Sequence, residues 1–336
     1  MKIIFFIFTF LCINQSFANE KSAIVLMYHR FEDQRFPSTS ISSKNFQDQI
    51  RYLKENNFNI LPISDLILFF NKNYDIPDKS VFITIDDGYK SFYEHAFPIL
   101  KKYKVPFSLF LSTKFVSNEK KSDFMSWKMI EELSKNKGQI LNHTDSHPKL
   151  LELQIDEVEK EFNLAEKKII SKIGRLQRVV SYPYGESNFQ IQKLVKEMGY
   201  DIGFAQHSSP VHLNENKLAL PRFAINDEFG SLKRFIQIVN SKALIVYDLK
   251  VIKDNSNLEK FEISFSTNKT ESSINCYINN SAVLKKKIIN KKIVNLKISN
   301  LKKSKRYRLN CTYFDEKRNL FWYGKMIKIT QESIIF

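Results

Sequence analysis

SVFITIDDGYKSFYEHAFPILKKY, residues 80–103, is an apolar run that ends on two adjacent carboxylates, Asp86 and Asp87, and a glycine. The run is β-branched and aromatic, and it reads as a buried strand with the carboxylates at its C-terminal end. Adjacent carboxylates repel each other and lose solvation wherever they are partly buried. The pair therefore fits a site where a cation neutralises one and the other keeps a task of its own. Asp-Gly is also a common turn dipeptide, and this segment alone does not separate the two readings.

Working outward, residues 22–242 alternate short β-rich runs with amphipathic helical stretches, which predicts an α/β unit with a largely parallel sheet. AIVLMYH, SVFITID, VPFSLFLS, GQILNH, RVVSYP and YDIGFAQ read as its strands. IDEVEKEFNLAEKKIISKIG reads as its clearest helix, with apolar residues at three- and four-residue steps and Gly174 as the stop. Strands this numerous fit a distorted (β/α) barrel better than a small open sheet. From residue 243 to 336 the period changes to two, and six successive runs predict a small β-sandwich of immunoglobulin or fibronectin III size. No Gly/Pro-rich linker separates the units, so they are expected to dock.

In such a barrel, function gathers at the C-terminal strand ends. Asp86 and Asp87 lie at one, and NHTDSH follows the strand GQIL with His143 and His147 four residues apart. Paired imidazoles with a carboxylate make a divalent-metal site with positions open to water. An H-x-x-x-H pair also arises by chance. A third strand end carries SYPYGE, where Pro183 fixes the backbone and Gly185 permits a tight turn that could aim a backbone N–H at an oxyanion.

The order TIDDG, HTDSH, PYG resembles the polysaccharide deacetylases of carbohydrate esterase family 4, the NodB-homology group, over roughly residues 22–240. LMYHRF and YPYG are most similar to its exported poly-N-acetylglucosamine deacetylase branch. The resemblance implies metal-dependent hydrolysis of N-acetyl groups on N-acetylhexosamine polysaccharide. It makes Asp86 the general base and Asp87, His143 and His147 the ligands of a divalent metal, usually zinc. It also implies that the Tyr184 N–H serves the oxyanion, and that Tyr182, Pro183, Gly185 and His29 line the substrate site.

Two slots depart from the family pattern. Where many members carry an arginine that orients the base, this chain has Ser181; Arg222 in LPRFAIND, at another strand end, is the substitute, against its reading as a surface charge. No histidine follows His212 to act as the acid for the leaving amine; His207 in GFAQHSSP is the first substitute and His29 the second. The competing class is a non-catalytic glycan-binding or envelope-assembly protein on the same fold. An intact Asp86 argues against it.

The first 18 residues, with an early lysine, an apolar run and Ser16-Phe17-Ala18, read as a signal peptide, which predicts an exported, periplasmic or secreted chain with no transmembrane helix once cleaved. Cys276 and Cys311 would then be an even pair where disulfides persist. The net charge is +16, and residues 241–336 hold 20 Lys+Arg against 8 Asp+Glu. Export argues against nucleic acid as the partner; an anionic envelope surface, or a merely basic solvated face, remains. The β-domain is accordingly expected to serve capture and not chemistry.

Overall fold

The computed structural model describes residues 21–336 apart from 73–75, 120, 254–259, 268, 280–282, 290–292, 303–304, 331–333 and 336. The expected signal peptide lies outside the described residues. The first sheet has eight strands: β1 (Ile24–Tyr28), β2 (Asn59–Ile60), β3 (Ser80–Asp87), β4 (Phe107–Leu111), β5 (Gly138–Asn142), β6 (Val179–Ser181), β7 (Ile202–Phe204) and β8 (Phe223–Ala224). They run in the order β8-β1-β3-β4-β5-β6-β7, with β2 also beside β3, and every pairing is parallel. The gap between β7 and β8 is bridged by Leu220, whose N–H donates to Gly203 O (2.8 Å) and whose carbonyl accepts from Ala205 N (2.9 Å). This is a distorted, nearly closed (β/α) barrel.

All eight residues of β3 are buried, because helices cover one face of the sheet while the barrel interior covers the other. The helices are α1 (Ser43–Glu55), α2 (Ile63–Lys72), α3 (Phe97–Tyr103), α4 (Trp127–Lys135), α5 (Ile155–Ile173), α6 (Phe189–Glu197) and α7 (Leu232–Val239). Helix α5 buries Val158, Phe162, Ala165 and Ile169 along one stripe and stops at Gly174, whose φ of 78° is left-handed. Among the described residues no helix is long and apolar enough to cross a membrane.

The second unit holds β9 (Lys242–Ala243), β10 (Val246–Lys253), β11 (Phe261–Thr267), β12 (Asn275–Ile278), β13 (Val283–Ile289), β14 (Ile293–Ser299), β15 (Arg306–Phe314), β16 (Leu320–Ile329) and β17 (Ile334–Ile335). One sheet runs β9-β16-β15-β12, with β17 on β16, and the other runs β10-β11-β14-β13. Phe261, Ile263, Phe265, Leu296 and Ile298 from the second share a core with Tyr307, Leu309, Cys311 and Ile327 from the first. Cys276 and Cys311 form a disulfide between β12 and β15.

The sandwich docks on the barrel through β16. Trp322 enters the barrel's own core and meets Phe223 edge-on at 5.2 Å. Gly324 lies so close to the barrel backbone that a Cβ there would fall 2.0 Å from Ser208 O.

Candidate active site

The site forms where β3, β5 and β6 end. Asp87 adopts a left-handed φ of 76°, and so do Thr144 (66°), His147 (55°) and Tyr184 (59°), none of them glycine. Such conformations cost on the order of 1 kcal/mol or more each and persist where the surroundings over-determine them. Here they turn three chain segments toward one point.

His143 Nε2 lies 3.3 Å and His147 Nε2 3.4 Å from Asp87 Oδ1. One ligand atom from each of the three residues lies within 4.8 Å of the others. His143 Nδ1 stands 2.7 Å from the carbonyl oxygen of Ser181. A carbonyl can only accept, so Nδ1 donates its proton there and Nε2 is the ring nitrogen that faces the carboxylate; burial would lower the ring's pKa, but Asp87 and Asp86 outweigh it and raise it. Asp87 Oδ1 and His143 Nε2 are both buried, and among the described residues neither has a hydrogen-bond partner. A buried carboxylate oxygen and imidazole nitrogen that face each other without a hydrogen bond fit a cation held between them, and an N,N,O donor set suits a borderline metal such as zinc. Burial, followed by the charge of His143, pushes the His147 pKa down to about 4, which keeps that ring neutral and able to ligate.

The loop from His143 to His147 is fastened from behind. Thr144 N donates to Asn142 Oδ1 (2.9 Å) and His147 N to Thr144 Oγ1 (3.1 Å), while Asn142 Nδ2 reaches Phe162 O and the Tyr200 hydroxyl. The expected imidazole pair is thus presented by a tight loop.

Asp86 is fully buried and has a different set of partners. Arg222 grips it with both terminal nitrogens, Nη1 to Oδ1 at 2.7 Å and Nη2 to Oδ2 at 2.8 Å. The same guanidinium donates to Thr84 Oγ1 (3.2 Å), Ser181 Oγ (2.7 Å) and Ala205 O (3.2 Å). Burial alone would raise the Asp86 pKa; the Arg222 charge, with those of His143 and His29 and the hydrogen bonds, outweighs it and holds the carboxyl below its ordinary value. Arg222 is fully buried and is not a surface charge. Ser181 occupies the slot of the missing arginine, where its hydroxyl receives Arg222 and its carbonyl orients His143.

His29 Nε2 stands 4.0 Å from Asp86 Oδ2. The Tyr184 ring meets the His147 ring edge-on at 4.6 Å, which sets its loop beside the three candidate ligands. Pro183 and Gly185 are buried in that loop, and Gly185 is required: its φ is 71° and a Cβ would fall 2.3 Å from Gln206 N.

Two expected site residues lie elsewhere. Tyr182 is fully buried among Leu150, Phe162, Ile191 and Val195, because the alternation beyond β6 turns it into the helix layer, so it is core and not a substrate contact. His207 is buried against the sandwich. Burial, followed by the charge of Lys325, pushes its pKa down to about 3, so it holds no proton to give at neutral pH. Asn142, Thr144 and Thr84 carry no signal of their own in the sequence, each being an ordinary polar residue; Ser181 stands out there only as the departure from the family's arginine, and its partner Arg222 is 41 residues away.

A barrel that ends three strands on an ionised, arginine-held carboxylate and a separate Asp-His-His cluster is built as a hydrolase. Residues 73–203 match the polysaccharide deacetylase family. The chain is 30% identical over 234 residues to the poly-β-1,6-N-acetyl-D-glucosamine N-deacetylase of Staphylococcus aureus, covering 62% of this chain and 80% of that one. It is similar in fold to the Streptococcus pyogenes deacetylase PplD (TM-score 0.60, 20% identity, 65% of this chain and 98% of that one). IcaB from Ammonifex degensii is a further fold relative (TM-score 0.55, 22% identity, 65% and 95%). The chain belongs to the polysaccharide deacetylase family and is an enzyme.

Proposed function

We propose that this enzyme removes N-acetyl groups from an N-acetylglucosamine polysaccharide, releasing acetate and leaving a free amine on the sugar. The observation that carries the reading is the division of labour between adjacent aspartates. Asp86 is ionised and committed to Arg222, while Asp87 Oδ1 faces two imidazole nitrogens, at 3.3 and 3.4 Å, without a hydrogen bond. The S. aureus relative, named for a β-1,6-linked N-acetylglucosamine polymer, supports this substrate class.

Asp87, His143 and His147 would hold a divalent cation, zinc by its donor set, which when bound supplies Lewis acidity to the acetamide. Asp86 accepts the proton of the attacking water, and Arg222 keeps the carboxylate aimed and anionic until it does. The Tyr184 N–H donates to the oxygen that gains charge. As the C–N bond breaks, the nitrogen must take up a proton. His29, beside Asp86 and only partly covered, is better placed to give it than His207.

The Cys276–Cys311 disulfide supports an exported setting, because such bonds persist in oxidising compartments. The test is acetate release from β-1,6-linked N-acetylglucosamine oligosaccharides and other N-acetylated glycans. Release that stops with chelator and returns with zinc is expected. A zinc-loaded chain that liberates no acetate from any of them would overturn the reading.

A further inference from the structure

The β-sandwich places charged residues directly on the active-site loop. Arg306, the first residue of β15, donates from Nη1 to the carbonyl oxygen of Tyr184 at 2.9 Å, and its guanidinium lies 5.5 Å from the Tyr184 ring centre. Its Nε stands 3.5 Å from Glu186 Oε1, and that same oxygen receives Lys328 Nζ of β16 at 3.1 Å. Glu186 is buried, so these two cations are its neutralising partners and belong to the interface. Arg308, two residues along β15, donates from Nε to Gln206 O (3.4 Å), and Gln206 is the residue against which Gly185 is pressed. Cations for which the sequence leaves open an anionic envelope surface or a solvated face thus face the barrel.

The geometry of the loop gives these contacts a consequence. Tyr184 is held at φ 59°, ψ 3°, a conformation a non-glycine residue leaves unless its neighbours fix it. Pro183 restricts the chain on the N-terminal side. On the C-terminal side the Tyr184–Gly185 peptide plane is held at its N–H edge by Gly185 N donating to Tyr182 O (2.8 Å) and at its carbonyl edge by Arg306, through a charge-assisted bond from the other unit. Between these two restraints lies the Tyr184 N–H.

We propose that Arg306 is a positioning residue of the active site: from the β-sandwich it locks the Tyr184 loop in its left-handed conformation, so that catalysis at full rate requires the two units to be docked. The catalytic half of this inference rests on the role given above to the Tyr184 N–H. A mis-aimed donor lowers turnover and leaves ground-state binding and the Asp-His-His cluster alone.

The experiment uses the full-length, zinc-loaded chain as wild type, Arg306→Ala, Arg306→Lys and a control, Arg318→Ala, which removes a like charge at the far β15–β16 turn. Two quantities are read: steady-state deacetylation of a β-1,6-linked N-acetylglucosamine oligosaccharide, and amide hydrogen exchange in residues 182–188. For Arg306→Ala, kcat is expected to fall about tenfold to a hundredfold, somewhat less than for outright loss of an oxyanion donor, with KM and zinc content near wild type. Exchange in the loop should quicken by about tenfold or more, as expected when about 1.4 kcal/mol of local restraint is lost. Guanidinium added to Arg306→Ala should restore part of kcat, and Arg306→Lys, which keeps the charge without the fork, should fall between. Arg318→Ala should change neither quantity. Wild-type exchange in Arg306→Ala overturns the proposal whatever the activity, and so does wild-type kcat in a variant whose loop exchange has quickened. If the wild-type chain releases no acetate, the functional reading fails instead, and loop exchange still decides whether Arg306 holds the loop. Should Arg306→Ala not fold, Arg306→Lys carries the same two readouts.

Discussion

Adjacent aspartates with different partners should fail differently when changed. Asp86→Asn keeps the shape but puts a donor where one of the two oxygens accepts from Arg222, and it cannot accept a proton. We expect zinc content to stay at the wild-type level while kcat falls by about a hundredfold or more, the usual loss for a general base. Asp87→Asn should instead lose metal, measured by elemental analysis of the folded protein. Equal metal loss in the two would show the roles to be wrongly divided. His207 offers a prediction about stability. Its folded pKa of about 3 lies below its ordinary 6.5, with burial as the main cause, Lys325 and Arg308 opposing its charge and Glu215 favouring it. Between those values the unfolded chain binds more protons than the folded one, so the folded state loses stability as pH falls from 6.5 toward 3. The contribution is fully present above 6.5. In thermal unfolding at pH 7.5 and pH 5, wild type should lose more of its Tm than His207→Leu does, and equal losses would remove the argument.

At the scale of elements, the site depends on loops whose backbones are held in left-handed conformations by contacts behind them. Gly185→Ala puts a Cβ 2.3 Å from the Gln206 backbone at a φ of 71°. The loop must shift, at a cost of about 1–3 kcal/mol, and Tyr184 moves with it. The expected result is a folded protein with full zinc content and little turnover, checked by metal analysis and steady-state kinetics side by side. A variant with wild-type kcat would show that the Tyr184 N–H is not used. Much of this level was readable beforehand. The six barrel runs are strands, and α5 ends at Gly174 where its pattern ends, because a continuous apolar run and a 3.6-residue stripe are local signals. β2 and β8, two residues each, carry no period and were not legible.

Across the whole molecule, the two units share an interface that acts as core. Trp322 of the sandwich is buried against Phe223 of the barrel, so Trp322→Ala should cost about 3–5 kcal/mol and loosen the docking of both units. Chemical denaturation followed separately by barrel and sandwich probes should show both transitions moving to lower denaturant. If only the sandwich transition moves, the barrel does not depend on its partner. Removing the sandwich altogether would strip Arg306 and Lys328 from the catalytic loop and leave Glu186 without these two cations. A truncated barrel is therefore expected to be a poorer catalyst, contrary to the expectation that the basic domain serves capture alone.

The sequence by itself determined the barrel, the change to a two-residue period near residue 243, and the four residues at its heart: Asp86, Asp87, His143 and His147. These follow from periodicity and from motifs whose parts lie within a few residues of one another. Tertiary structure alone decided which cation holds Asp86, since Arg222 is 136 residues away in the chain and reaches it only because β8 and its approach close the barrel beside β1 and β7. It also removed Tyr182 and His207 from the site, because which way a side chain points beyond a strand end depends on what packs there. The place of Arg306 on the Tyr184 carbonyl, across 122 residues, is of the same kind: a lysine- and arginine-rich strand shows its charge in the sequence, but only docking tells which of those charges meet solvent and which complete an active site.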